Sequence, residues 1–247
     1  MIKGIFASGS GMQPRMTRLE VVANNIANIN TTGFKKDSMF VQMVKNAGVA
    51  QAQGEGELRG LNAKEFTDFS EGSFLQTKNP LDLAIQGRGF FVVETPQGIR
   101  YTRNGNCSLK EDGTVVNADG YPLLSSSGPI RIPQTQKNPE AAISVNQLGE
   151  ITYGNTSLGK IRVADFNDLN QLKKAGQSLF ASDGPEKPES ADGSQSIVRQ
   201  GYLEESNVEG IGEMVQLVEL TRSFETDQRT IQAQDSTLER AMDIGRL

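Results

Sequence analysis

The sequence predicts an α+β protein: helices from the two chain ends pair as a coiled-coil stalk, and a central, mainly antiparallel β domain lies between them. Three observations carry this prediction. Apolar residues recur every seven positions near the C-terminus, a similar repeat occurs near the N-terminus, and turn dipeptides separate short apolar runs in between. The predicted boundaries are a helical domain of residues 1–33 and 205–247, an extended linker of residues 34–78, and a β domain of residues 79–204.

The N-terminal repeat predicts a helix that ends before Gly33. Its seven-residue positions and one alternate position are Ile5, Met12, Leu19, Ile26 and Val22. Pro14 interrupts this pattern, and because proline inside a helix costs about 3 kcal/mol, we expect a kink or a restart near Gln13. Two threonines and Gly33 then form a stop signal, with glycine where a left-handed conformation is needed.

Three asparagines, Asn24, Asn25 and Asn28, lie at the end of this helix. Asparagine is a poor residue for a helix interior because its side chain competes for backbone hydrogen bonds. Asn24 and Asn28 share one face, and Asn25 is a neighbour of Asn28. Two interpretations stay open: amides that hydrogen-bond across a helix interface, or a solvated polar face.

The sequence pattern of the central segment is typical of short strands joined by tight turns. Residues 34–78 show no sustained period. From residue 79 onward, apolar runs alternate with the turn dipeptides Gln97-Gly98, Asn104-Gly105, Asp112-Gly113 and Asp119-Gly120. We predict a series of hairpins. The two Asp-Gly pairs do not have the spacing of a calcium loop, so turn chemistry accounts for them.

The C-terminal repeat predicts a long helix that needs a helical partner. Leu217, Phe224, Ile231 and Leu238 recur at seven-residue intervals, and the alternate positions are assigned to Met214, Thr221 and Gln228. So narrow an apolar stripe is usually buried against another helix. Basic residues predominate in the N-terminal segment and acidic residues in the C-terminal one, which favours pairing between the two. The alternative is two ordinary amphipathic helices on one globular core.

Composition argues against several classes of function. The net charge is −5, no basic run is present, and histidine is absent; nucleic acid is therefore not an expected partner, and the commonest general base and metal ligand is missing. We predict no catalytic, cofactor-binding or metal-binding residues and no small-molecule substrate. A β-rich hydrolase using Asp165 and Asp168 remains an alternative. The single cysteine, Cys107, excludes an intrachain disulfide.

Targeting signals give a provisional location. No stretch approaches the length of a membrane span, and the N-terminal apolar run is too short for a cleaved signal peptide. These signals alone predict a cytoplasmic protein.

Five motifs in chain order resemble the bacterial flagellar rod and hook protein family. They are ANNIANINTTGFK from Ala23, NPLDLAIQGRGFF from Asn79, YTRNG from Tyr101, DGYPLL from Asp119, and QGYLEESNV from Gln200 followed by EMV from Glu213. The resemblance implies a structural, non-enzymatic subunit of the basal-body rod without a cofactor. It also implies other rod subunits and the flagellar export apparatus as partners, and a periplasmic location reached through that apparatus in place of the cytoplasmic one.

Within the family, GPIRIP from Gly128 and the chain length look most like the proximal-type rod protein. The alternatives are a distal rod or hook-type subunit, or a non-flagellar β-domain binding module with a helical stalk.

The mechanism we expect is helical self-association through the chain ends, which are largely disordered in the monomer and become ordered on docking. The predicted subunit-interface residues are Ile5, Met12, Leu19, Val22, Asn24, Asn25, Ile26, Asn28, Met214, Leu217, Phe224, Ile231 and Leu238.

Overall fold

The protein is mostly β, with one helix near each end. The structure, a computed structural model, describes residues 2–44, 60–133, 143–154, 156–176, 178–182 and 196–244. Helix α1 spans Ile2–Ala27, and helix α2 spans Gly210–Ile244. All strand pairs are antiparallel. The predicted α+β class with antiparallel sheets is confirmed.

The chain divides into two compact units. The first, here the helical unit, contains Met1–Ala27, Asp37–Asp68 and Glu209–Leu247. The second, the β unit, contains Asn28–Lys36 and Phe69–Val208. Each unit therefore combines segments that are distant in sequence.

In the helical unit, both helices are accompanied by a β-hairpin. Strands β1 (Asp37–Val44) and β2 (Gly60–Thr67) pair from Asp37 opposite Thr67 to Val44 opposite Gly60. No sustained period in residues 34–78 indicates this hairpin. Helix α1 runs through Pro14 as one helix, so the expected restart near Gln13 is not observed. Neither described helix carries a stretch apolar enough to cross a bilayer.

The β unit is built from short strands. Their bounds are β3 Phe74–Gln76, β4 Leu83–Gly87, β5 Phe90–Thr95, β6 Gly98–Thr102, β7 Cys107–Leu109, β8 Val115–Asn117, β9 Leu124–Ser125, β10 Gly128–Pro129, β11 Ile143–Val145, β12 Glu150–Tyr153, β13 Thr156–Lys160, β14 Val163–Ala164, β15 Leu172–Lys174, β16 Leu179–Ser182, β17 Ser196–Gln200 and β18 Tyr202–Glu204. One sheet has the order β14-β5-β6-β16-β15 and another the order β11-β12-β13; the remaining pairs are β17-β4, β18-β3, β7-β8 and β10-β9.

Strand β5 lies at the centre of the β unit because both of its faces are buried. Phe91 and Val93 point into one apolar cluster, and Phe90 and Val92 point into a second. The alternation follows from the two-residue period of a strand. The Phe90 ring also contacts the Phe180 ring, with 5.8 Å between ring centroids. A run of four apolar residues is what a strand buried on both faces requires.

Three of the four predicted turn dipeptides place glycine at positive φ: Gly98 at 107°, Gly113 at 80° and Gly120 at 82°. Asn104-Gly105 is different, since strands β6 and β7 on either side of it do not pair with each other. Gly105 instead lies against another backbone segment, and its carbonyl accepts a 3.0 Å hydrogen bond from the Leu83 amide. The prediction of a hairpin at Asn104-Gly105 is therefore wrong. The close approach of the Leu83 backbone explains why position 105 is glycine.

Replacing Gly105 with Ala is expected to lower the free energy of unfolding by on the order of 3 kcal/mol. The new Cβ would lie 1.7 Å from the Leu83 carbonyl oxygen, so the backbone would have to shift. The matched control is Gly212→Ala in α2, where the Cβ would meet its nearest neighbour at 3.5 Å. There alanine should leave stability unchanged or raise it by up to about 1 kcal/mol. Urea unfolding of both variants checks the pair, and equal effects would contradict the expectation.

Candidate interaction surfaces

Helices α1 and α2 pack against each other in antiparallel orientation within the helical unit. Asn25, near the end of α1, hydrogen-bonds to Glu213, near the start of α2. Arg15, earlier in α1, forms an ion pair with Asp227, later in α2. These two contacts fix the direction of the pairing. The two chain ends therefore meet, as the sequence predicted.

The side of α2 that is less exposed follows a spacing of four and three residues. The residues with this spacing are Glu213, Leu217, Leu220, Phe224, Asp227, Ile231 and Gln234; Gln216 and Ser223 beside them are also half-buried. Three predicted residues, Leu217, Phe224 and Ile231, lie on this side; the side chain of Leu238 lies outside the described part. The alternate positions were assigned wrongly, because Met214, Thr221 and Gln228 are exposed.

The physical reason for this misassignment is the polarity of the true alternate positions. Hydrophobicity alone favours Met214 over its neighbour Glu213, yet Glu213 is 1% exposed and Met214 is 54% exposed. Glu213 and Asp227 are accommodated because each has a partner on α1. Leu220, three residues after Leu217, is the apolar residue from which this alternate position could have been identified.

Helix α1 buries a broader face than a seven-residue stripe. Val22 and Asn25 are buried, whereas Met12, Leu19 and Ile26 are half-buried and Asn24 is exposed. Asn28, one residue beyond the end of the helix, is also buried. The side chain of Ile5 lies outside the described part. The face is broad because α1 packs against the β1–β2 hairpin as well as α2.

Asn25 joins three elements of the helical unit. Its Nδ2 donates to the Asp37 carbonyl oxygen at 2.8 Å and to Glu213 Oε2 at 3.3 Å, and its Oδ1 accepts from the Asp37 amide at 2.9 Å. The two interpretations of the asparagines therefore divide by residue. Asn25 bonds across the helix interface, Asn24 is on the solvated side, and Asn28 accepts from Thr31 Oγ1 at 3.2 Å.

The β unit contains a buried ionic cluster, here called the connector cluster: Lys35, Arg103 and Glu204. Lys35 Nζ lies 2.6 Å from Glu204 Oε1, and Arg103 Nη1 lies 3.2 Å from Glu204 Oε2. Lys35 is 0% exposed and Glu204 1%. The carboxylate of Glu204, on the strand that precedes α2, thus binds both the segment that follows α1 and the segment that follows β6.

Further hydrogen bonds complete the connector cluster. Lys35 Nζ donates to the Ser70 carbonyl oxygen at 2.5 Å, and Arg103 donates to the carbonyl oxygens of Ile85 and Gly87 at 3.1 Å and 2.7 Å. Burial lowers the pKa of the Lys35 ammonium, and the attraction of Glu204 opposes that shift. Buried charges of this kind are tolerated only when they are paired and hydrogen-bonded.

Gly33 brings the segment after α1 to the connector cluster. Its φ is 67°, which confirms the predicted left-handed conformation, and its amide donates to the Glu204 carbonyl oxygen at 2.7 Å. A Cβ at this position would lie 2.3 Å from the Asn104 amide nitrogen. Thr32 Oγ1 also donates to Asn104 Oδ1 at 2.8 Å. The motif from Asn30 to Lys35 is therefore a strap fastened to the β unit.

The residues considered for chemistry have structural partners. Asp165 forms an ion pair with Arg88 at 3.5 Å, and Asp168 caps a 3-10 helix by accepting from the Asn170 amide. That hydrogen bond lowers the pKa of Asp168, opposite to the shift a general acid needs. Burial raises the pKa of the Cys107 thiol to about 12. Within the ranges that the structure describes, no group of three or more acidic or cysteine side chains could hold a metal ion.

The segments that contain these contacts match known flagellar families. Residues 6–35 match the family described as flagella basal body rod protein, residues 84–153 the flagellar hook protein FlgE/F/G D1 domain, and residues 199–244 the flagellar basal body rod FlgEFG protein C-terminal. The chain is 31% identical to the flagellar basal-body rod protein FlgG of Bacillus subtilis over 100% of both chains.

The chain belongs to the flagellar basal-body rod and hook protein family.

Two other rod proteins support this assignment. FlgG of Agrobacterium fabrum is 33% identical over 95% of this chain and 96% of its own length. FlgF of Caulobacter vibrioides is 32% identical over 87% of this chain and 88% of its own length. The family predicted from the sequence motifs is confirmed. The first and third matched segments contain most of α1, the strap, Glu204 and α2, so both terminal helices lie largely inside family-defining regions.

Glu204→Gln is expected to destabilise the β unit by about 3–5 kcal/mol, because two buried cations would lose their counter-charge. The pKa of Lys35 is already lowered from its ordinary value by burial and should fall further when the attraction of Glu204 is removed. A lysine with a depressed folded-state pKa binds fewer protons when folded than when unfolded. The stability of the variant should therefore rise as pH increases through the alkaline range toward the ordinary pKa of lysine.

The control for Glu204→Gln is the double variant Lys35→Met/Glu204→Gln, which removes one buried cation together with the carboxylate. It should regain part of the lost stability and lose the added pH dependence. Urea unfolding at several pH values distinguishes the two variants. A double variant no more stable than Glu204→Gln would contradict the charge argument.

Asn25→Ala is expected to destabilise the helical unit by about 1–3 kcal/mol, since the Asp37 amide and the Glu213 carboxylate lose a buried partner. Asn24→Ala, one residue away and exposed, should stay within about 0.5 kcal/mol of the wild type. Thermal unfolding followed at the helical circular dichroism band measures both. Similar losses in the two variants would contradict the role assigned to Asn25.

Proposed function

We propose that this chain is a structural subunit of the flagellar basal-body rod and that it assembles helically through its terminal helices. The observation that carries the proposal is the antiparallel packing of α1 and α2, fixed by the Asn25–Glu213 and Arg15–Asp227 contacts. Family membership supplies the setting, because the relatives compared here are named as flagellar basal-body rod proteins. The proposal includes no catalytic role, no cofactor, no small-molecule substrate and no nucleic acid.

A coiled-coil pairing of the two helices is part of this proposal. The spacing of four and three residues along α2, from Glu213 through Gln234, is the spacing of positions a and d in a heptad. Four of those seven positions hold large apolar residues, and the other three hold Glu213, Asp227 and Gln234. Such a mixed seam sets register at some expense of stability. It supports a pair that other subunits reinforce.

Open assembly follows from contact surfaces that differ from one another. A subunit that joins its neighbours head to tail, through a rotation that does not close, generates a filament or tube. The predicted interface residues supply candidate surfaces on both helices, and their contacts with neighbouring subunits remain a prediction. Partners on this account are copies of the chain and other rod subunits.

The terminal helices are proposed to become ordered fully only on assembly. Isolated helices are marginal in water, and a two-helix pair with a partly polar seam gains little from burial. A chain with weakly ordered ends suits passage through the flagellar export apparatus, which we propose delivers it to a periplasmic rod. The ordering cost is then met at the growing end, which suppresses premature polymerisation.

Within the rod, we propose the proximal-type position on the basis of the GPIRIP motif and chain length. The alternatives are a distal rod or hook-type subunit of the same family. A non-flagellar binding module with a helical stalk is the other class of function considered. Co-purification of the tagged chain with isolated basal bodies separates the axial roles from the binding module.

The order-on-docking proposal predicts a rise in helical circular dichroism on assembly. Helices α1 and α2 contain 26 and 35 residues of a 247-residue chain, and a dilute full-length monomer should show less helix than these lengths require. Addition of isolated rod tips should increase the signal. An unchanged signal from monomer to assembly would argue against ordering on docking while leaving rod membership intact.

A further inference from the structure

The first turns of α2 are apolar on two opposite sides. One side, with Leu217 and Leu220, is the less exposed side described above. The other, here the α2 outer stripe, consists of Ile211, Met214, Val215 and Val218, which are 80%, 54%, 54% and 50% exposed. Their spacing places them on one helix face, about half a turn from the seam. A helix that is apolar on both sides is normally covered on both.

The β1–β2 hairpin has a second exposed apolar surface. Its hairpin face consists of Phe40 and Phe66, 62% and 47% exposed, with Ser38 and Lys64 beside them. Ser38 pairs with Phe66 and Phe40 pairs with Lys64, so the two aromatic residues are diagonal neighbours on one face. Clustered exposed aromatic residues of this kind mark interaction sites.

The hairpin face cannot reach the α2 outer stripe of its own chain. Met39 and Val41, on the opposite face of β1, line a cavity of about 310 Å³ together with Pro14, Arg18, Leu220 and other residues of both helices. The hairpin therefore turns its Met39 face toward the helices, and its Phe40 face points away from them. Within the described part of the chain, the stripe and the hairpin face do not cover each other, and both are exposed.

We propose that the α2 outer stripe of one copy receives the hairpin face of a second copy of this chain. This inference rests on the proposed rod function, which needs two different surfaces joined head to tail. Each copy has one stripe and one hairpin face, so the contact passes from copy to copy and does not pair identical surfaces.

Dimensions and charge both fit this pairing. The stripe from Ile211 to Val218 spans seven residue steps, about 10 Å at 1.5 Å per residue. Diagonal side chains on paired strands start about 7–8 Å apart, so both rings fit along the stripe. Exposed Glu219 and Glu225 flank the stripe, and exposed Lys64 accompanies Phe40. Opposite charges at the rim favour the correct register.

The proposed contact between the stripe and the hairpin face is small. Four apolar side chains on the stripe and two on the hairpin face are far fewer than the roughly 20–30 residues on each side of a standard interface. The pairing is therefore weak between two free copies and becomes effective when other rod contacts hold the copies together.

Disulfide cross-linking in isolated basal bodies tests the pairing. Cells express the full chain as Phe40→Cys/Val215→Cys, and basal bodies are oxidised mildly. The native Cys107 thiol is buried, with its pKa raised to about 12, so it does not compete. A ladder of covalent multimers is expected, because each copy donates one cysteine in each direction.

Two matched controls fix the geometry. Met39→Cys/Val215→Cys moves one cysteine to the other face of β1, and Phe40→Cys/Arg229→Cys moves the other along the same side of α2, beyond the apolar stripe. Neither should give a ladder. Equal ladders from the controls, no ladder from Phe40→Cys/Val215→Cys in incorporated protein, or dimers from Phe40→Cys alone would overturn the proposed pairing. Absence of the wild-type chain from basal bodies would instead overturn the rod function.

A charge exchange keeps the pairing testable if the cysteine variant is not incorporated. Phe40→Lys and Val215→Glu should each reduce motility and incorporation, and the combination should restore both in part, because the introduced charges attract across the contact. Single variants that behave like the wild type, or a combination no better than either one, would count against the pairing.

Discussion

The buried carboxylate of Glu204 holds together the segments of the β unit that connect to the two helices. Glu204 binds Lys35 from the strap and Arg103 from the segment after β6, and its backbone carbonyl accepts from the Gly33 amide. All of these groups are removed from water, so none can be lost without exposing the others to an uncompensated charge. The segment that follows α1 and the strand that precedes α2 are thereby fixed side by side. The proposals for the helices depend on this fixed position of the two segments.

The helical unit is held by weaker and more polar contacts than the β unit. Strand β5 buries large apolar side chains on both faces, whereas the seam of α2 includes Glu213, Asp227 and Gln234. Polar seam residues specify register through partners such as Asn25, yet they contribute little hydrophobic free energy. The β unit is therefore the more strongly packed of the two, and hydrophobic burial contributes less to the helical unit. The proposed ordering of the helices on assembly rests on this contrast.

Much of this arrangement could be predicted from the sequence, because the helix seam and the turns depend on local sequence patterns. The seven-residue repeat located Leu217, Phe224 and Ile231, and one Gln-Gly and two Asp-Gly dipeptides located turns. The β1–β2 hairpin was missed because residues 45–59 separate its strands, so no tight-turn signal marks it. The connector cluster was also missed. Lys35, Arg103 and Glu204 are far apart in sequence, and charged residues are expected at the surface until their partners are known.

The apolar residues of α2 form two sets on different sides of the helix, the seam and the outer stripe. The seam extends over much of the described helix at an even spacing, whereas the outer stripe ends at Val218 and is followed on the same side by Arg222 and Glu225. Packing against α1 needs a continuous stripe, since the partner helix runs alongside it. A second apolar side confined to the first turns matches a short partner that crosses the helix once. A β-hairpin face has those dimensions, and a second long helix does not.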